Sequence, residues 1–139
     1  KMLHGSKEGA DTKCTGMEAD KNNDGYVDVT EAVPSVGITM IPLHENPLNL
    51  TIKTDTYPKA DENGNLEYLA SVNIDSLSNA WKAKFGLETF DLTKFTYVLH
   101  GVDTQLNLPA SAASVLEMPA HMTLPVGCAV IEKKDTAAY

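Results

Sequence analysis

Between Asp20 and Glu31 the chain reads DKNNDGYVDVTE, with acidic or amide side chains at alternate positions through its first half. Asp20, Asn22 and Asp24 stand at places one, three and five of the template D-x-[DN]-x-[DN]-G-x5-E, with Gly25 at six and Glu31 at twelve. That spacing suits a hard cation. Calcium takes about six to eight oxygens at roughly 2.3 to 2.6 Å, so alternate side chains turn inward, the Tyr26 carbonyl adds an oxygen, Asp28 acts directly or through water, and Glu31 can give two. Gly25 has no Cβ and permits the sharp turn. Carboxylates packed this closely repel one another unless a cation lies among them, and Lys21 is the only lysine in the stretch. The competing reading is a solvated acidic loop of Asx turns.

The flanks point away from a helix–loop–helix calcium motif. Thr12 to Met17 is short and turn-like, and Pro34 is expected to stop any helix within three residues of Glu31. The expectation is a calcium-bound loop inserted in another fold, acting as a clamp and not a switch.

Around this loop the hydrophobic periods predict mostly strands. Met2 and His4 share a face if the chain from Lys1 to His4 is a strand end. Val36 to Leu43 alternates, and Leu48, Leu50 and Ile52 face Leu66, Tyr68, Ala70, Val72 and Ile74 across an Asn63-Gly64 turn, predicting a long hairpin interrupted by Pro58. Asp75 to Phe85 changes to a helical period, with Asp75 as N-cap and Gly86 to close it. Phe95, Tyr97 and Leu99 read as the inner face of a further strand, which puts His100 on the outer face. Gln105 to Pro125 reads mainly as loop, with a helical turn available at Ala110 to Leu116, and Val126 to Glu132 is a final apolar strand. The sum is a mainly β chain with one short helix, for which an antiparallel Greek-key β-sandwich or barrel is the natural architecture.

A chain of 139 residues and 15.0 kDa fits a single domain over 1–139, with 20–31 as a calcium-binding insertion. A net charge of −8 and a pI near 4.8 disfavour nucleic acid and anionic membrane as partners, and no apolar run is long enough to span a bilayer. Cys14 and Cys128 are an even pair near opposite ends, either two separate buried thiols or, in an oxidising compartment, a disulfide; the calcium loop favours an extracytoplasmic setting. Asn49-Leu50-Thr51 is a glycosylation sequon. No G-x-S-x-G, P-loop, H-E-x-x-H or dinucleotide fingerprint occurs.

Three stretches carry a resemblance. Met2-Leu3-His4-Gly5 followed by Cys14, FTYVLHG from Phe95 to Gly101, and LPVGCAVI from Leu124 to Ile131 resemble, in this order, segments of copper/zinc superoxide dismutase. The chain is also similar to secreted bacterial dismutase-like or chordin-domain-like proteins, in which a DxNxDGxxxxxE segment follows the His-Gly and Cys elements. The resemblance implies a Greek-key sandwich with Cys14 paired to Cys128. It also places His4 and His100 at copper-ligand positions, while Met2 stands where the family has the first histidine of His-x-His. Met, His and His form a sensible donor set for copper, Cu(I) above all, because thioether is soft and imidazole borderline. His121 and His44 are the further histidines expected near such a site.

The departures matter as much. The family's zinc ligands and bridging histidine are absent, Pro125 stands where its active-site arginine would be, and the chain has no arginine. Dismutase activity is not expected. The family's opening strands have no counterpart before Met2, so a longer chain, a protein partner or a second copy is expected to supply sheet edge strands. The functional expectation is a secreted, non-enzymatic β-domain stabilised by calcium and a disulfide. The alternative is a copper-binding or copper-handling protein using Met2, His4 and His100.

Overall fold

Four short strands form one antiparallel sheet in this computed structural model, which describes residues 1–134. They are β1 (Met2–Gly5), β2 (Ile38–Pro42), β3 (Thr96–His100) and β4 (Pro125–Val130), and they lie in the order β2-β1-β3-β4. β1 is therefore central, with Met2 opposite both Pro42 and Val98, and β4 is an outer strand. Three α-helices accompany the sheet: α1 (Val29–Val36), α2 (Ile74–Phe85) and α3 (Ala120–Thr123).

Each face of the sheet is covered by something different. On one face Leu3, Met40, Ile41 and Phe95 pack with Leu77 and Trp81 of α2 to make the main core. On the other, Val98 packs with Ala32 and Val36 of α1. Strand alternation explains the division: Phe95 and Tyr97 face α2, while Thr96 and Val98 face α1.

This arrangement corrects the expected Greek-key sandwich or barrel. A single open sheet flanked by helices is a mixed α/β fold, and the long hairpin that would have built a second sheet does not form. Its turn does. Gly64 N–H donates to the Asp61 carbonyl at 3.0 Å and Asp61 N–H to the Asn65 carbonyl at 2.8 Å. The arms then fail as strands, for reasons visible in the residues. Pro47–Asn49 winds into a short 3-10 turn, and Leu50 takes a left-handed φ of 53° that no strand tolerates. On the second arm Leu66, Tyr68 and Val72 are only half-buried while Ala70 and Ile74 are exposed, so the alternation there buries no continuous face.

Two helix boundaries also differ from expectation. Pro34 lies inside α1 and does not stop it: its ring is exposed, and the helix needs only two more residues before Gly37 ends it. α2 starts at Ile74, because Asn73, not Asp75, is the N-cap and accepts Ser76 N–H at 2.9 Å. Gly86 closes that helix at φ 68°, as its glycine predicts. Val36 ends α1 and does not begin a strand, and 110–116 holds a Pro109–Ala112 turn and an isolated Val115–Met118 bridge in place of a helical turn. β4 is apolar but largely exposed, as the edge of the sheet.

Cys14 and Cys128 are joined by a disulfide that closes a sequence separation of 114. It ties the segment just before the acidic loop to β4. In the chain-entropy picture a closure of this length contributes about 4 to 5 kcal/mol.

Candidate functional site

The acidic loop is organised by its own backbone. Asp20 accepts Asp24 N–H at 3.1 Å through Oδ1 and Gly25 N–H at 2.9 Å through Oδ2. Asn22 Oδ1 accepts Asp24 N–H at 3.0 Å, and Asp24 Oδ1 accepts Tyr26 N–H at 3.0 Å. Gly25 is left-handed at φ 89°, which fits its place in the template. Asp28 is the N-cap of α1 and Glu31 its third residue, and they exchange bonds as a capping box: Glu31 N–H to Asp28 Oδ1 at 3.0 Å, Asp28 N–H to Glu31 Oε2 at 3.1 Å. Glu31 Oε1 also accepts Lys21 N–H at 2.9 Å, drawing the end of the loop back to its beginning.

Two further bonds fix this loop to a distant segment. Ser111 Oγ donates to Asp24 Oδ2 at 2.6 Å, and Ala113 N–H to Asp28 Oδ2 at 2.8 Å. The Ser111 hydroxyl, followed by the Tyr26 and Asn22 contacts, holds the Asp24 carboxyl below its ordinary range. Lys21 offers no neutralising contact within the loop, since its Nζ donates to the Glu18 carbonyl at 3.0 Å.

Does this donor set fit calcium? Among the described residues no group of three or more His, Cys, Asp or Glu side chains is gathered so as to hold a metal ion. The template, however, also draws on the Asn22 amide oxygen and the Tyr26 carbonyl. A carboxylate or amide oxygen that accepts one N–H keeps a second lone pair, which holds for the Asp20, Asn22 and Asp24 oxygens, whereas Glu31 Oε1 accepts both Lys21 N–H at 2.9 Å and Asn22 N–H at 3.4 Å and leaves Oε2 as the freer oxygen for a hard cation.

The histidines meet elsewhere. His4 lies opposite Thr96, and His100 stands four positions further along β3, yet their Nε2 atoms are 3.1 Å apart and the rings lie within 5.2 Å of each other. The register puts the Met2–Val98 pair between them, on the face that α1 covers. Met2 thus shares this face by register, while no contact of its sulfur defines its role.

Each imidazole is held by its far nitrogen. His4 Nδ1 bonds the Gly37 carbonyl at 2.9 Å, just past the end of α1, and His100 Nδ1 bonds the carbonyl of Thr123, the last residue of α3, at 2.7 Å. A carbonyl only accepts, so each Nδ1 must carry its proton. In the neutral rings the two Nε2 lone pairs then face each other, and that of His4 has the Thr39 hydroxyl, 3.3 Å away, as a donor. A cation between them removes the conflict. Burial acts against charge on the rings themselves, lowering His4 and pushing His100 down to about 4, so both are neutral at physiological pH. Neutral imidazoles whose second nitrogen donates to a carbonyl have the form of metal ligands with their orienting partners in place.

The other two histidines are not drawn in. His44 is buried, with Nε2 bonded to the Thr51 carbonyl at 2.8 Å and Nδ1 accepting Asn46 N–H at 3.2 Å. His121 Nε2 donates to the Leu106 carbonyl at 2.6 Å. Both are hydrogen-bonded structural residues. Sequence reasoning overlooked Gly37, whose φ of 84° and close approach to the Gly5 carbonyl leave no room for a Cβ and so set the acceptor for His4. It also overlooked Ser111 and Ala113, for which no local signal exists. The chain matches no protein-family model, no curated protein and no solved structure.

Proposed function

We propose that this chain is an extracytoplasmic, non-enzymatic structural or binding module clamped by calcium at Asp20, Asn22, Asp24, Tyr26, Asp28 and Glu31 and by the Cys14–Cys128 disulfide. The observation that carries the reading is the loop's fit to the calcium template, with Gly25 left-handed at place six and Glu31 turned back onto the first residues of the loop. The disulfide agrees with an oxidising compartment, and among the described residues no helix is long and apolar enough to cross a membrane. The clamp has a purpose in this fold. It joins α1 to the segment carrying Ser111 and Ala113, which otherwise has little regular structure of its own. At a dissociation constant of roughly 10⁻⁴ to 10⁻³ M, millimolar calcium contributes about 0.4 to 1.4 kcal/mol. Thermal melts of the full chain in calcium and in chelator test this: calcium should raise the melting temperature of the parent protein and leave that of Glu31→Ala unmoved.

A second reading rests on its own observation, the facing Nε2 lone pairs of His4 and His100. It is copper binding or handling, with these two imidazoles as ligands and Met2 as a soft third donor. Copper there would supply a cation to lone pairs that otherwise repel. Titration with Cu(I) under a competing chelator checks it, since His100→Ala should lose binding while the calcium response persists. The exposed edge at β4 leaves room for a strand from a partner or a second copy.

A further inference from the structure

The two edges of the sheet are finished differently. β2 is buried at Met40 and Ile41 and ends on Pro42, which closes that edge. β4, at the other edge, lacks the usual protection. Pro125–Val130 holds no charged residue, and among the described residues no backbone hydrogen bond from another segment reaches its outer row. Val126 and Val130 on this strand are 50% and 49% exposed. A row of open main-chain N–H and C=O groups is matched by one kind of occupant, an extended strand.

Side-chain alternation adds a second feature. Cys128 lies opposite Val98, so Val126, Cys128 and Val130 share the face that α1 covers. On that face an apolar groove of about 480 Å³ runs along the first half of β4, lined by Val126, Val102, Tyr26 and Met17 among others. Met17 is 59% exposed, so the groove offers accessible apolar surface.

The strand is complementary to itself. Two copies related by a two-fold axis pair antiparallel about one residue that faces its own copy, and the choice of that residue sets the register. With Cys128 there, Val126 of each copy faces Val130 of the other, and Pro125 to Ile131 pair without a charge. Moving the axis to Ala129 sets Val126 against Glu132, and moving it to Gly127 sets Val126 against Cys128. Only the first register joins the exposed valines, and it brings Val130 of the second copy beside Val126 at the groove. Beyond Ile131, the copy's Glu132-Lys133-Lys134 then carries more positive charge than negative towards the end of the groove where Gly25 and Tyr26 of the acidic loop stand. In a chain of net charge −8 that match is favourable.

We propose that a second copy of this chain covers β4, joining the two sheets edge to edge. This rests on the reading of β4 as an open edge and on neither the calcium clamp nor the histidine pair. A pairing of this length is small beside the roughly 1,200 to 2,000 Å² of a standard interface, so the dimer is reversible and concentration-dependent.

Sedimentation equilibrium of the full chain from about 10 µM to about 1 mM tests it. The mass should rise from 15.0 kDa towards twice that value and stop, because the β2 edges stay closed. Amide exchange over 125–131 should slow in step. Val130→Lys and Val126→Lys, at opposite ends of the pairing, should each weaken association by at least about tenfold with little change in melting temperature in dilute solution. Leu69→Lys, at a site 95% exposed and outside β4, should leave association unchanged. A monomer at every concentration, growth past two chains, a dimer without slower exchange over 125–131, or one that both β4 variants leave intact would overturn the proposal.

Discussion

In the Asp20–Glu31 loop every candidate ligand lies within one twelve-residue stretch, whereas His4 and His100 are 96 residues apart and meet because β1 and β3 pair side by side. The loop needs little from the rest of the molecule to hold its shape. Asx turns, a left-handed glycine and a helix cap organise it from within. The histidine pair needs the whole sheet, the end of α1 at Gly37 and the end of α3 at Thr123. A local site should therefore survive partial loss of the fold, and an assembled site should not.

The sharpest way to break that comparison is to remove the disulfide. Cys14→Ser with Cys128→Ser should cost about 4 to 5 kcal/mol by the loop-closure estimate, read as a lower urea midpoint with a steeper slope, because the uncrosslinked denatured chain exposes more surface. The histidine contact should loosen before the loop does, because β3 pairs with β4, the strand that the disulfide anchors. His4→Ala comes next, at about 2 to 4 kcal/mol. It empties a fully buried site and leaves the Gly37 carbonyl unpartnered, and calcium should stabilise this variant as much as the parent.

Asp28→Ala acts on the other region. It removes the α1 cap and the acceptor for Ala113 N–H together, so a loss of about 1 to 3 kcal/mol is expected, with faster amide exchange at Glu31 and Ala113. The smallest effect belongs to Lys53→Ala. Its ion pair with Glu117 spans 2.8 Å, but the two side chains are 61% and 87% exposed, so a change within about 0.5 kcal/mol is expected and should shrink in salt.

What was legible in the chain follows the same division between local and assembled features. α2, with Trp81 on its buried face and Gly86 at its end, is a local pattern and appears much where its residues indicate, and Gly25 takes the left-handed turn that its place in the Asp20–Glu31 loop suggests. β3 was legible too, with Phe95 and Tyr97 on one face and His100 on the other. The Cys14–Cys128 disulfide was one of two readings open to an even cysteine pair and was also implied by the dismutase resemblance, but the sandwich that the same resemblance implied does not form. Alternation from Leu48 to Ile74 misled because period two signals a strand only when a partner face exists to bury it. Pro34 misled in the opposite sense, since one missing N–H near the end of a short helix costs that helix little when capping and burial of Ala32 and Val36 hold it.

The most direct test of the account is a calorimetric calcium titration of the full chain beside its Glu31→Ala variant. The account predicts saturable binding of one calcium per chain at millimolar concentrations or tighter, lost in the variant. Heats that never saturate, or identical isotherms for the two proteins, would contradict it.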